Sequence, residues 1–288
     1  YLHLRRAGAD VSIQTPNRHR EGYGLSGAAV EQIAADGGTL IITVDCGITN
    51  VAETAMAKSL GVDVIVTDHH ECGEVLPDTP YIINAKRPDS AYPYRYLAGC
   101  GVAFKLIHAL SSLAEAMRYI DLIAIGTITD IVPLLGENRV IAHMGLKRLR
   151  QNASAGVAAL ARAAGINLPE ISSFGIGFGL GPRINAAGRM DTAETAIEIL
   201  TAGKQGPALR QSVAQLCTLN ERRRREVCDI LADAEKMIAE YGYHTDPAIL
   251  LADSRWNAGV IGIAAAKLAE KYYRPCVLFG GDGDLIGS

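Results

Sequence analysis

Ile65-Val66-Thr67-Asp68-His69-His70-Glu71 changes from apolar to polar within one step, and the fold follows from that change. The β-branched residues read as the end of a buried strand. The acid and the two imidazoles then fall where an open α/β sheet gathers ligands, at the carboxyl ends of its strands. Leu40-Ile41-Ile42-Thr43-Val44 runs in the same way into Asp45-Cys46-Gly47. A later apolar segment, Leu122-Ile123-Ala124-Ile125-Gly126-Thr127-Ile128-Thr129, ends in Asp130. A single Asp after a strand is commonly a turn former or helix cap. Two histidines beside an Asp are harder to explain so, because polar groups buried there need partners. Carboxylates with imidazoles and no thiolate form a donor set suited to Mn²⁺, Mg²⁺ or Zn²⁺.

The chain has 288 residues, 49% hydrophobic and 20% charged, enough for one large domain or two ordinary ones with a real core. A net charge of −3 does not announce a nucleic-acid binder, although a basic channel can sit on an acidic protein. Cys46, Cys72, Cys100, Cys217, Cys228 and Cys276 are scattered without CxxC pairs, the pattern of reduced thiols and not of a disulfide framework. No signal peptide and no apolar run long enough to span a bilayer stand in the sequence, so a cytoplasmic location is expected.

Alternation of strand and helix patterns predicts a parallel sheet covered on both faces. Helices are expected over 28–35, 51–60 and near 101–114, and strands at 10–14, 40–44, 63–67 and 81–83. Tyr1 to Gly8 reads as the last turns of a helix, and 284–288 as a strand cut short, so a fragment is expected. Beyond Asp130 the pattern is mainly helical, with one long charged helix from Leu216 to Ala239. A second unit begins with a strand at 248–251, continues through a glycine-rich turn at 256–262 into a helix, and has a strand at 275–279.

Several motifs together resemble the signatures of the DHH phosphoesterases: Val44-Asp45-Cys46-Gly47, Thr67-Asp68-His69-His70 and Gly126 to Leu134. Gly181-Pro182-Arg183-Ile184-Asn185-Ala186-Ala187-Gly188-Arg189-Met190 and Trp256-Asn257-Ala258-Gly259-Val260-Ile261-Gly262-Ile263 narrow the resemblance to the RecJ-type single-strand-specific DNA exonucleases, over nearly the whole chain. Asn257 stands where many relatives carry histidine. The fold class this implies is α/β: a parallel-sheet DHH domain over residues 1–195, a helical linker over 196–244, and a smaller, truncated α/β (DHHA1-like) domain over 245–288. The active site is expected in the cleft between them.

By the same resemblance Asp45, His69 and Asp130 are expected to ligate metal, with Asp45 bridging two Mn²⁺ (or Mg²⁺) ions. Asp68, His69 and His70 form the catalytic set, with Asp68 and His70 orienting ligands or touching the substrate phosphate. The chemistry implied is two-metal hydrolysis, in which the ions activate water and neutralise charge developing on phosphorus. His70, Arg183, Asn185 and Arg189 are expected to contact phosphate, the arginines from a Gly/Ala-rich turn; pairing with Asp191 or Glu194 is the structural alternative. The family's Asp-x-Asp motif has no counterpart in residues 1–30, where Asp10 precedes a strand and Glu21 lies in a turn. Its Gly-Ser-Gly-Arg-Ser loop is represented by Gly287-Ser288.

Arg222 to Arg225 cannot all face one groove, since successive helical residues point around the circumference. A solvated face with i,i+4 pairing is expected, with one or two arginines reaching nucleic acid. Trp256 is a base-stacking candidate, although a lone Trp beside a strand is more often core. His3, His19, His108, His143 and His244 have no ligand spacing.

The implied activity is 5′→3′ exonuclease action on single-stranded DNA in repair and recombination, with a helicase and a single-strand-binding protein as partners and no membrane. Three competitors stand beside it: a DHH phosphoesterase of short oligonucleotides, cyclic dinucleotides or pyrophosphate; a catalytically silent scaffold; and a plain nucleic-acid-binding module. The Gly181–Met190 motif and the long helix argue against the first, and the metal-ready set against the second.

Overall fold

The computed structural model describes residues 1–16, 22–281 and 285–288. His19, Glu21 and Asp284 lie outside them.

A short helix α1 (Leu2–Arg6) leads to α2 (Gly27–Ala35), where the Ser26 side chain accepts from the Ala29 N–H and caps the first turn. Then β1 (Leu40–Val44), α3 (Val51–Ser59), β2 (Asp63–Thr67) and β3 (Ile82–Ile83) build a parallel three-stranded sheet in the order β1-β2-β3. The pairing Val44↔Thr67 sets Asp45 and Asp68, the next residue of each strand, side by side at the carboxyl edge. Ile41, Val64 and Val66 bury against Val30 of α2 and Ala57 of α3. Residues 10–14 form no strand; no ladder partner faces them among the described residues, and Ile13 is exposed.

Helix α4 (Gly99–Leu110) packs on β1 and β2, and α5 (Leu113–Ala116) follows it. The apolar segment before Asp130 is not a strand but helix α6 (Ile120–Thr129). Short apolar runs do not separate the two by period, and this helix is apolar nearly all round because it is buried on several faces. It crosses α7 (Gly136–Asn152), where Gly145 meets Ala124 and the Ile120 carbonyl at a separation that leaves no room for a Cβ. Helices α8 (Ala155–Ala163), α9 (Gly181–Met190) and α10 (Glu194–Thr201) complete this helical layer. The expected turn carrying Arg183 and Arg189 is thus helical: it continues a π-helical segment over Gly175–Leu180, and Ala186 and Ala187 are buried.

The long helix α11 (Pro207–Tyr241) has 35 residues and closes at Gly242 in the left-handed conformation. Leu209, Val213 and Leu216 pack into the core of α8–α10, whereas Val227, Ile230, Ala234 and Ile238 belong to a second core. That core holds β4 (Ile249–Ala252), α12 (Ile261–Tyr272) and β5 (Cys276–Gly280), with β4 parallel to β5 and β6 (Ile286–Gly287) antiparallel to it. Trp256 is 3% exposed within it, so it packs and does not stack on a base. No helix among the described residues is long and apolar enough to cross a membrane.

Gly145→Ala is expected to destabilise the protein by about 1–3 kcal/mol, since overpacking at a helix crossing outweighs the roughly 0.5–1 kcal/mol gained in helix propensity. Thermal melting reads the loss, and an unchanged midpoint would mean that α6 and α7 separate without cost.

Candidate metal centre

Asp68 is buried at 1% exposure, and protein donors occupy its carboxylate. Oδ2 accepts from the Ile48 N–H at 2.9 Å; Oδ1 accepts from the N–H groups of His69 and His70 at 2.7 and 3.2 Å, and pairs with His70 Nδ1 at 2.7 Å. Burial pushes its pKa up, but these hydrogen bonds outweigh burial and hold it below the usual carboxylate value. Asp68 therefore ties the loop after β1 to the loop after β2. With Nδ1 of His70 facing Asp68, the other ring nitrogen is left to face outward. Asn84, buried beyond β3, donates to the His70 carbonyl at 2.9 Å and fixes the same loop from below.

The remaining groups gather around His69. Its Nε2 lies 2.9 Å from Oδ1 of Asp45 and 3.5 Å from Oδ2 of Asp130. Oδ1 of Asp45 and Nε2 of His69 are both buried, and among the described residues neither makes a hydrogen bond of acceptable geometry, with Asp130 the one further charged group beside the ring nitrogen. Two buried donor atoms set against one another in this way fit a cation between them. The Asp45 carboxylate raises the pKa of His69, burial opposes it, and Asp130 adds to the rise. Burial raises that of Asp130, against the lowering effect of His69. Donor atoms of Asp45, His69 and His70 all lie within 4.8 Å of one another. His70 thus stands among the possible ligands, beyond the orienting and phosphate roles expected of it.

Backbone strain accompanies this cluster. Asp45 and Ile131, which follows Asp130, are two of the three non-glycine residues with positive φ among those described, at 65° and 60°. Such conformations cost on the order of 1–3 kcal/mol each and persist where surrounding structure enforces them. At Asp45 the Thr67 carbonyl accepts its N–H at 3.0 Å and the Tyr23 hydroxyl donates to its carbonyl. The ring of Tyr23 also meets that of His70 edge-on at 5.8 Å. Gly99 at the start of α4 lies so close that a Cβ there would overlap the Asp45 carboxylate. Burial, Asp68 and Asp45 push the Cys46 thiol up to about 11, so it stays protonated at neutral pH and supplies no thiolate ligand.

Gly181 packs on Thr129, the residue before Asp130, so α9 begins beside the cluster. Along α9, Arg183 donates to the Gly179 carbonyl at 2.7 Å and Arg189 to the Gly259 carbonyl of the second unit at 3.3 Å, while Asn185 is exposed. Asn257 bridges in the same region: its side chain donates to Glu226 at 2.7 Å and accepts from the Gly259 N–H at 2.9 Å. Sequence reasoning missed Tyr23, Asn84 and Gly99. Only Gly99 left a trace, in the glycines that open α4, Gly99 and Gly101.

Residues 1–127 match the family described as the DHH family, N-terminal domain. A crystal structure of exonuclease RecJ bound to manganese superposes with a TM-score of 0.82 at 36% identity, covering 96% of this chain and 70% of that one. The chain belongs to the RecJ family of DHH proteins. The single-stranded-DNA-specific exonuclease RecJ of Bacillus subtilis (strain 168) is 42% identical over 97% of the chain, and that of Salmonella typhimurium (strain LT2) is 38% identical over 100% of it. The chain spans 35% and 53% of the lengths of these two relatives. RecJ of Thermus thermophilus in complex with Mn²⁺ also superposes at a TM-score of 0.82, with 33% identity over 96% of this chain and 40% of that one. The RecJ fold is therefore present over nearly the whole chain.

Gly99→Ala is expected to weaken Mn²⁺ binding at least tenfold while the melting temperature changes little, because the added methyl displaces a short side chain on an already strained backbone. Isothermal titration with Mn²⁺ and a thermal melt separate the two effects; parental Mn²⁺ affinity would mean that the Asp45 carboxylate need not sit against α4.

Proposed function

We propose that this chain carries the catalytic centre of a 5′→3′ exonuclease acting on single-stranded DNA, with Mn²⁺ (or Mg²⁺) held by Asp45, His69 and Asp130 and with His70 at the same cluster. The observation that carries the reading is the buried pair of Asp45 Oδ1 and His69 Nε2, which make no hydrogen bond of acceptable geometry among the described residues, with Asp130 beside them. Metal-bound RecJ structures of the same fold support the choice of ion. A divalent ion there would polarise an attacking water and offset charge developing on the phosphate.

The chain's own residues supply position. Asp68 touches no substrate in this reading; it holds His69 and His70 in place and fixes the ring of His70. His70, 45% exposed in its side chain, turns its free ring nitrogen toward the substrate phosphate or toward the ion. Arg183 and Arg189 offer guanidinium N–H groups to the strand's phosphates, with the exposed Asn185 between them on the same helix. Each arginine is steadied by a backbone carbonyl, which holds the fork in place. The division into units at about residues 195 and 245, a helicase and a single-strand-binding protein as partners, and a cytoplasmic location complete the proposal.

His69→Ala in the full-length protein is expected to lower exonuclease activity by orders of magnitude and to abolish Mn²⁺ binding at this cluster, with folding retained. Release of nucleotides from 5′-phosphorylated single-stranded DNA, read beside Mn²⁺ titration, tests it; parental turnover and parental affinity would remove His69 from the centre. Long single strands should be degraded in preference to dinucleotides, and the reverse preference would favour a small-substrate phosphoesterase.

Arg183→Ala and Arg189→Ala are each expected to weaken single-strand binding and to reduce the slope of log affinity against log salt by about 0.7. Parental slopes in both variants would make these arginines structural.

A further inference from the structure

The long helix α11 carries an arginine unlike its neighbours. Arg222 is spent on an i,i+4 pair with Glu226 at 2.8 Å, and the other oxygen of Glu226 accepts from Asn257. Arg223, the next residue, lies half-buried. Its Nη2 donates to Oδ1 of the buried Asn220 at 3.1 Å, a neutral acceptor, and its Nε is buried with no hydrogen-bond partner among the described residues.

The charges around Arg223 make this arrangement unfavourable in the free protein. Helix α9 packs along α11. Burial first, then the guanidinium groups of Arg189, Arg224 and Arg183, hold the pKa of Arg223 below its ordinary value. It remains a cation at neutral pH, because arginine starts so high. A half-buried guanidinium near like charges, with its Nε–H unsatisfied among the described residues, is a site that an oxyanion would stabilise.

Two of those neighbours are the residues to which phosphate contact is assigned above. We infer that Arg223 is a third phosphate-binding guanidinium, reaching from the connecting helix to the phosphates of the bound single strand beside Arg183 and Arg189. The inference rests on the proposed reading of the chain as a single-strand-binding nuclease and extends it to α11. A role for this helix follows. One end of α11 belongs to the core of α8–α10 and the other to the core of the second unit, so the strand is gripped where the two units meet. Occupancy of the phosphate site then bears on how the units sit against each other. The phosphate would be either a terminal 5′ monoester or an internal diester; both present the oxygens that guanidinium groups recognise.

The test compares Arg223→Met, which keeps the apolar stem and removes the guanidinium, with Arg223→Lys, which keeps the charge. Binding of oligothymidylate with a 5′-phosphate or a 5′-hydroxyl is followed by fluorescence anisotropy against salt, in the absence of divalent metal. The methionine variant should lose affinity and reduce the salt slope by about 0.7, and lysine should restore the slope. A loss greater on the 5′-phosphorylated strand assigns the site to the terminal monoester; an equal loss on both assigns it to an internal diester. In thermal melts, inorganic phosphate should raise the midpoint of the parent more than that of Arg223→Met, and without phosphate the variant should melt no lower than the parent. A parental slope in Arg223→Met beside a reduced slope in Arg183→Ala would overturn the inference and leave the wider phosphate reading standing. Parental slopes in all three variants would remove both. A lower melting midpoint in Arg223→Met, with no return of the slope in Arg223→Lys, would make Arg223 structural and likewise overturn the inference.

Discussion

The buried carboxylate of Asp68 is the interaction on which the rest of the centre depends. It has left water entirely, and a carboxylate there survives only if donors surround it. Those donors are the N–H of Ile48 on one loop and the N–H groups and ring of the histidines on the next. Satisfying one charge therefore fixes two loops, sets the ring of His70, and places His69 against Asp45. The parallel register of β1 and β2 brings the loops together, and Asp68 locks them.

The strain at Asp45 and Ile131 belongs to the same arrangement. Both residues have left-handed backbones at the cluster: Thr67 and Tyr23 hold that of Asp45 by hydrogen bonds, while Ile131 turns the exposed chain away just after Asp130. Small residues recur at these contacts for one reason. Gly99 lets α4 lie against a carboxylate, Gly145 lets α6 and α7 cross closely, and Gly181 lets α9 begin beside the cluster. Each carries an approach that a methyl group would prevent, and each lies on the route by which a helix delivers or buttresses a site residue.

Charge is distributed to match. The acidic and imidazole groups lie at the strand ends and at the end of α6, whereas the arginines lie on α9 and α11, the helices that lead to the second unit. On the reading proposed above, those arginines would meet a polyanion while metal offsets the charge of the carboxylates.

Residues 40–44 and 63–67 are strands in the structure as in the sequence, because β-branched runs bounded by polar residues have no other good solution once buried. Asp45, Asp68, His69 and His70 were legible for the same reason: residues that close buried parallel strands share one edge. The sequence alone did not determine how Asp130 reaches that edge, since a ten-residue apolar run suits a buried helix as well as a strand, and packing against α4 and α7 decided for helix. The Gly/Ala-rich segment around Arg183 likewise became a helix because its small residues were needed for contact and not for turning. Tyr23 and Asn84 acquire meaning only in three dimensions, and so does the choice of Gly99 among the glycines that open α4 and of Arg223 among its run of four arginines. Their significance lies in what stands opposite them, and local sequence carries no record of a partner brought near by the chain's long-range path.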